Sequence, residues 1–333
     1  MRTWRCTCGN RLFIGSTQCV SCGRRTGFCP NCCAIRNLVT LEDGSIRCGK
    51  CSRALLLCRN AGYEQVCNVC VEADSAPTPS PLCQYCCYTR IIPDLSVAGN
   101  TDRWRKLERA KRRVLIGIEN VRVPLQKLQA VLPLSFEFKA DTDKRVATGH
   151  ANGVITINIR EADDVEREKT RVEFGEPHRT LVGHFRHELG HYFWDLLVKP
   201  DRLQTFRRLF GDETNPSYAD AHQNYYASGP PADWRSRFVS AYASMHPWED
   251  FAETFQTYLD LRAVLETAEH FDSVDASPES FERMVKQYQS LGIMANEWNR
   301  DLGLLDLVPE VFGATVKKKL AYVHRLLSEA ATT

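Results

Sequence analysis

The chain has no surplus of charge: 43 Lys/Arg stand against 41 Asp/Glu in 333 residues. That balance excludes a global electrostatic pull toward nucleic acid or an anionic membrane. No apolar run approaches the roughly 20 residues a membrane-spanning helix needs. The opening "MRTWRCTCGN" lacks the apolar stretch of a secretory leader. Together these absences predict a soluble, cytoplasmic protein. The most informative absence is that of cysteine beyond Cys87. With 43% apolar residues, the chain can build one sizeable core beside a smaller module, so two or three domains are expected.

All 15 cysteines lie between Cys6 and Cys87. In a reducing compartment, short-spaced pairs read as metal ligands rather than disulfides. Cys6 and Cys8 of "CTC" join Cys19 and Cys22 of "CVSC". Cys29 and Cys32 of "CPNC" join Cys48 and Cys51 of "CGKC". Cys67 and Cys70 of "CNVC" join Cys83 and Cys86 of "CQYC". Each set offers four thiolates from two tight turns, as a closed tetrahedral zinc site requires. Segments this short bury too little apolar surface to fold unaided, so zinc supplies much of their folding energy. Cys33, Cys58 and Cys87 are left over, and Cys58 rivals Cys70 as a ligand of the third site.

Residues 1–95 carry 11 Lys/Arg and 6 Asp/Glu. Three zinc tetrathiolate centres at about −2 each cancel that excess. The ribbons therefore have no basic footprint. Protein docking or domain support is the better expectation, and nucleic acid is disfavoured. A Pro/Ser-rich loop, "ADSAPTPSPL", interrupts the third ribbon. The boundary falls near "IIPDLSVAGNTDRW", giving a ribbon region over 1–92 and a second domain over 93–333.

A helix is expected from about Thr101, capped by Asn100 or Thr101, with Trp104, Leu107, Leu115 and Ile118 as its apolar stripe. Its other face carries Arg103, Lys106, Arg109, Lys111, Arg112 and Arg113, read as a solvated basic face. "LSFEFKAD" and "GVITINIRE" alternate as strands do. From about Asp163 the pattern is almost wholly helical, interrupted at "FGEP", "KPD", "GDETNPS", "SGPPAD" and "HPWED".

The chemistry concentrates in "GHFRHELGHYFWD". On a helix, His187 and His191 share one face and can bind one ion. Glu188 sits about 100° round the axis, beside the position a water molecule would take. A hydrolytic zinc site needs a third protein ligand and an open corner. Downstream, "SAYASMHPWEDFAETFQTYLD" has Pro247 in a first helical turn. Glu249 and Glu253 lie four apart, as a ligand and its supporter, while Ala252, Phe255 and Leu259 mark the packed side. Tyr242 stands where its hydroxyl can meet an oxyanion. Asp195, four beyond His191, is read either as holding a helix end or accepting a hydrogen bond behind the ligands, or as a plain helix-surface residue. His184 is read as a core histidine rather than a fourth ligand. His246 is read as a cap or a substrate contact. Tyr192, Phe193 and Trp194 are read as core.

"HELGH" followed by "EDFAETF" resembles the gluzincins, whose zinc is held by two histidines and a glutamate. The tyrosine seven residues ahead of that glutamate is similar to lethal-factor-type and minigluzincin peptidases. "TGHANGVITINIREADDVERE", "HRTLVGHFRHELGHYFWD", "FGDE", "GPPADW", "FVSAYASMHPWEDFAETF" and "LETA" resemble a bacterial family of zinc-binding metallopeptidases with an N-terminal zinc ribbon. That resemblance spans roughly 1–25 and 55–272. It implies zinc on His187, His191 and Glu249, Glu188 as general base, Tyr242 as oxyanion donor, and Glu253 orienting a liganding histidine. It also implies an α+β protein: tandem ribbons, then a mostly helical zincin-like domain with a small mixed sheet. Two departures stand out. The segment holding Cys29, Cys32, Cys48 and Cys51 is an extra ribbon, and Cys70 replaces the family's usual tryptophan. The expected cofactor is Zn2+, one ion catalytic and three structural. The expected activity is peptide hydrolysis, with an inactive zinc-ribbon adaptor as the alternative.

Overall fold

A computed structural model describes residues 2–62, 64–76, 81–167, 169, 180–274 and 280–332. "FGEP", His178 and the centre of the Pro/Ser-rich loop lie outside the described residues. The protein is mixed α+β, with a cysteine-rich front and a mostly helical remainder. Its contacts divide it into two units. The first comprises residues 1–115, 135–147 and 156–164; the second comprises 116–134, 148–155 and 165–333. Among the described residues, no helix is long and apolar enough to cross a membrane.

The front begins with a two-stranded ribbon, β1 (Trp4–Arg5) against β2 (Arg11–Leu12). A five-stranded sheet follows in the order β3 (Thr26–Cys29), β4 (Ala34–Thr40), β5 (Ile46–Cys48), β6 (Ala54–Leu57) and β7 (Cys70–Glu72). Its strands are short because cysteine turns interrupt them. Its core is correspondingly small: Cys29, Leu38, Cys48, Leu55 and Cys70. β8 (Thr89–Ile91) and β9 (Ser135–Lys139) pair in parallel, Thr89 opposite Phe136. β10 (Gly149–Ala151) and β11 (Val154–Asn158) are neighbours joined by a two-residue turn. Phe136, Phe138, Ile155 and Ile157 are fully buried, as the alternation predicts.

Helix α1 (Asn100–Asn120) buries Trp104, Leu107, Leu115 and Ile118. Its basic face departs from the sequence expectation, because Lys111 and Arg112 are buried. Lys111 Nζ lies 2.8 Å from Glu108 Oε2 and within 5.8 Å of the ring centroids of Phe136 and Phe138. Charge buried in this way needs a partner. For Lys111 that partner is Glu108. For Arg112 it is a cysteine sulfur.

The second unit is organised by α2 (Leu181–Leu197) packed on α5 (Pro247–His270), with α3 (Pro200–Phe210), α4 (Tyr218–Ser228), α6 (Phe281–Asp301) and α7 (Ala314–Ala330) around them. Thr180 caps α2, accepting the Gly183 N–H at 2.9 Å. Phe193 stacks on Phe255 with centroids 5.1 Å apart, and Phe206, Phe210 and Phe251 extend the cluster. Each such ring contributes about 1.5–3 kcal/mol by leaving water. Tyr192 and Phe193 are core residues, as expected.

The glycine within "HELGH" permits the α2–α5 crossing. A Cβ on Gly190 would lie 2.7 Å from Ala252 Cα, three residues past Glu249. Gly190→Ala must therefore push the helices apart, at a cost of about 1–3 kcal/mol. In Gly183→Ala the new carbon meets the ends of two side chains and no backbone, Gln256 Nε2 at 3.0 Å and Thr180 Oγ1 at 3.1 Å. Thermal unfolding with and without zinc should show Gly190→Ala losing both stability and the zinc-dependent increment, and Gly183→Ala losing much less. Equal effects would contradict this account of the crossing.

Candidate metal centres

The ligand atoms of Cys6, Cys8, Cys19 and Cys22 cluster, as do those of Cys29, Cys32, Cys48 and Cys51. Sulfur separations are 3.6 Å for Cys6–Cys22, 3.7 Å for Cys8–Cys19, 3.7 Å for Cys29–Cys51 and 3.9 Å for Cys32–Cys48. Tetrahedral zinc with bonds of about 2.3 Å spaces its sulfurs about 3.8 Å apart. Both sets fit.

The third set is Cys58, Cys67, Cys83 and Cys86, all buried. The expected Cys67–Cys70 pairing is corrected here, with Cys58 in place of Cys70. The reason is the register of β7. Cys70 pairs with Leu57 there and packs into the small sheet core. Burial pushes its thiol up to about 12, which keeps it neutral, as an apolar filler should be. Cys58 instead follows β6 directly, and its sulfur accepts the Cys83 N–H at 3.4 Å.

Arg112 Nη1 donates to Cys67 Sγ at 3.3 Å. The Cys67 thiol is held well below its usual value by hydrogen bonds with Cys58, Cys83 and Cys86, and Arg112 adds to this against the cost of burial. A tetrathiolate centre carries surplus negative charge, and a buried guanidinium offsets it. The basic stretch of α1 is thus partly a counter-charge to this centre.

In the second unit, α2 and α5 bring His187, His191 and Glu249 together. His187 Nε2 lies 3.1 Å from His191 Nε2 and 2.9 Å from Glu249 Oε2, and His191 Nε2 lies 3.5 Å from that oxygen. Zinc bonds of about 2.0–2.1 Å at tetrahedral angles space their donors about 3.3 Å apart. His187 Nδ1 faces Glu253 Oε1 at 2.7 Å; an Nδ1–H donating there would leave the Nε2 lone pair for a metal. Lone pairs then converge on Glu249 Oε2, a buried atom without a hydrogen-bond partner. Two imidazole nitrogens and a carboxylate oxygen at these separations suit a cation, and zinc fits the donor set and its spacing.

Burial disfavours a charged His187, yet Glu249 and Glu253 raise its pKa well above the ordinary value. Burial also works against a charged Glu249, but His191 and His187 win and hold it well below the carboxylate range. Both shifts express the same demand for positive charge.

Glu188 is buried, and its Oε2 has no partner. Burial pushes its pKa up, and the two imidazoles pull it only partly back. The ring of Tyr242 lies 6.1 Å from that of His187, and burial raises its phenol so that it stays a donor. Glu253 Oε2 accepts the Ser240 hydroxyl at 2.7 Å, so the residue orienting His187 is itself held.

Asp195 does not reach the liganding imidazoles. Its carboxylate lies 3.9 Å from His150 Nδ1, and that histidine accepts the Gly153 N–H through Nε2. His184 is half-buried and outside the ligand cluster. His246 caps α5 by accepting the Trp248 N–H at 3.2 Å.

Two contacts had no sequence signal. Tyr218 donates to Glu249 Oε1 at 2.9 Å. Lys319 Nζ, on α7, donates to Asp250 Oδ2 at 2.5 Å and to the Arg237 carbonyl at 2.8 Å, pinning the first turn of α5. Both partners lie far from α5 in sequence, so no local spacing could have announced them.

The family described as "putative zinc-binding metallo-peptidase" matches residues 100–326, and a zinc-ribbon domain family matches residues 3–97. An uncharacterized protein of Mycobacterium bovis is 36% identical over 346 positions, covering 99% of this chain and 96% of the relative. Uncharacterized proteins of two Mycobacterium tuberculosis strains match equally well. No solved structure matches the chain. With its zinc-ribbon front and its convergent His187, His191 and Glu249, the chain belongs to this zinc-binding metallopeptidase family.

Proposed function

We propose that the protein is a gluzincin-type zinc hydrolase acting on peptide bonds, with His187, His191 and Glu249 as ligands. The supporting observation is the convergence of three lone-pair donors beside Glu188, a buried carboxylate with one unpartnered oxygen. Zinc bound in that cradle would supply Lewis acidity toward a carbonyl and a water molecule whose pKa is lowered toward about 7. Glu188 takes the proton of the attacking water and returns it to the leaving nitrogen. Tyr242 donates a hydrogen bond to the oxyanion as the carbonyl carbon becomes tetrahedral. Glu253 keeps the His187 proton on Nδ1 and Nε2 free to bind.

The hydrolase occupies 93–333. The ribbons over 1–92, with three structural zinc ions, serve to dock a protein substrate or partner. A cytoplasmic setting suits 15 cysteines with no disulfide among them. The test is proteome-wide profiling of protein termini in cells expressing wild type against Glu188→Gln. New termini are expected with wild type and absent with the variant. Identical profiles would remove the hydrolase reading.

A further inference from the structure

We propose that Tyr218 is a positioning residue for the metal site: its hydroxyl holds the outer oxygen of Glu249, so that the inner oxygen faces the two imidazoles. The inference rests on the reading of Glu249 as the third ligand. The two oxygens of this carboxylate have distinct surroundings. Oε1 accepts from Tyr218 at 2.9 Å, while Oε2 lies 2.9 Å from His187 Nε2 and 3.5 Å from His191 Nε2. The terminal torsion of a glutamate is broad and nearly two-fold. Without a donor on the far side, the group can turn either oxygen, or both, toward the ion. One hydroxyl removes that freedom.

The hydroxyl is itself aimed. The Tyr218 ring stands edge-on to His246 at 5.2 Å and to Trp248 at 5.9 Å. Those two residues flank Pro247 and open the helix that carries Glu249. Ser217 caps α4 by accepting the Asp220 N–H, which fixes Tyr218 as the first helical residue. Along α4, among the described residues, Ala221 alone is buried. The bond to Glu249 is therefore not a by-product of a deeply packed helix. Tyr218 does for Glu249 what Glu253 does for His187: each orients a ligand through its far atom.

The test uses full-length protein and zinc alone. Chelator competition measures the affinity of the ion that is not bound by thiolates. Outer partners of metal ligands typically contribute about 10–100-fold in affinity. Tyr218→Phe keeps the ring and should weaken that zinc by a factor in this range. Tyr226→Phe, which removes a hydroxyl about two turns further along the same helix, should leave it unchanged. Wild-type affinity in Tyr218→Phe overturns the inference. An equal loss in both variants also overturns it, because the effect would then belong to the helix and not to this hydroxyl. If wild type binds no zinc beyond that of its cysteines, the ligand reading of Glu249 falls as well. If zinc binds and depends on the hydroxyl but no peptide is cut, this inference stands and the hydrolase reading falls.

Discussion

Glu188→Gln is expected to lower peptide turnover by about 10²–10⁴-fold, the usual contribution of a positioned general base. Zinc content should not change, because Glu188 is not among the converging ligands. Stability should hold or rise. Burial disfavours the charged form of Glu188, as its raised pKa records, and a neutral isostere removes that strain. The same shift fixes the sign of the pH dependence. The base works deprotonated, so kcat/KM falls as pH drops through its pKa, which burial raises. Rates on a peptide spanning a cleavage site found by terminal profiling would measure both effects. A variant within tenfold of wild type would show that Glu188 is not the base.

Cys58→Ser and Cys70→Ser should behave very differently, although the sequence nearly exchanged their roles. Cys58 belongs to the buried third cluster, and its loss leaves three thiolates and a neutralising Arg112 without their ion. Structural zinc sites contribute about 10–16 kcal/mol of apparent binding energy that is also folding energy. Cys58→Ser should lose one equivalent of zinc and unfold the front unit at ordinary temperature. Cys70→Ser places a hydroxyl in a small apolar core, at a cost of about 1–3 kcal/mol, and keeps every zinc. Zinc analysis with circular dichroism separates the outcomes. Zinc loss from Cys70→Ser, with Cys58→Ser intact, would reverse the ligand assignment.

What the sequence announced follows from locality. A four-residue gap on one helix sets His187 against His191, and the same gap on α5 sets Glu249 and Glu253 along one side. A two-residue gap lets one turn present both Cys29 and Cys32. The third cluster stayed open between Cys70 and Cys58 for the same reason: "CNVC" looks like such a turn, but the pairing of β7 with β6 sends Cys70 into the sheet core. The basic face of α1 was misread because charge on a helix says nothing about what lies opposite it. Cys67 and Glu108 make two of those cations interior. Tyr218 and Lys319 reach α5 from 31 and 69 residues away, across distances that only the tertiary fold closes.

The central claim is that two imidazoles and a distant carboxylate jointly hold a zinc ion, separate from the cysteine centres. Zinc counted per chain in purified protein, wild type beside His191→Ala, tests it most directly. The four groups of ligands among the described residues predict four ions in wild type and three in the variant. Three ions in both, with the cysteine sites full, would contradict it.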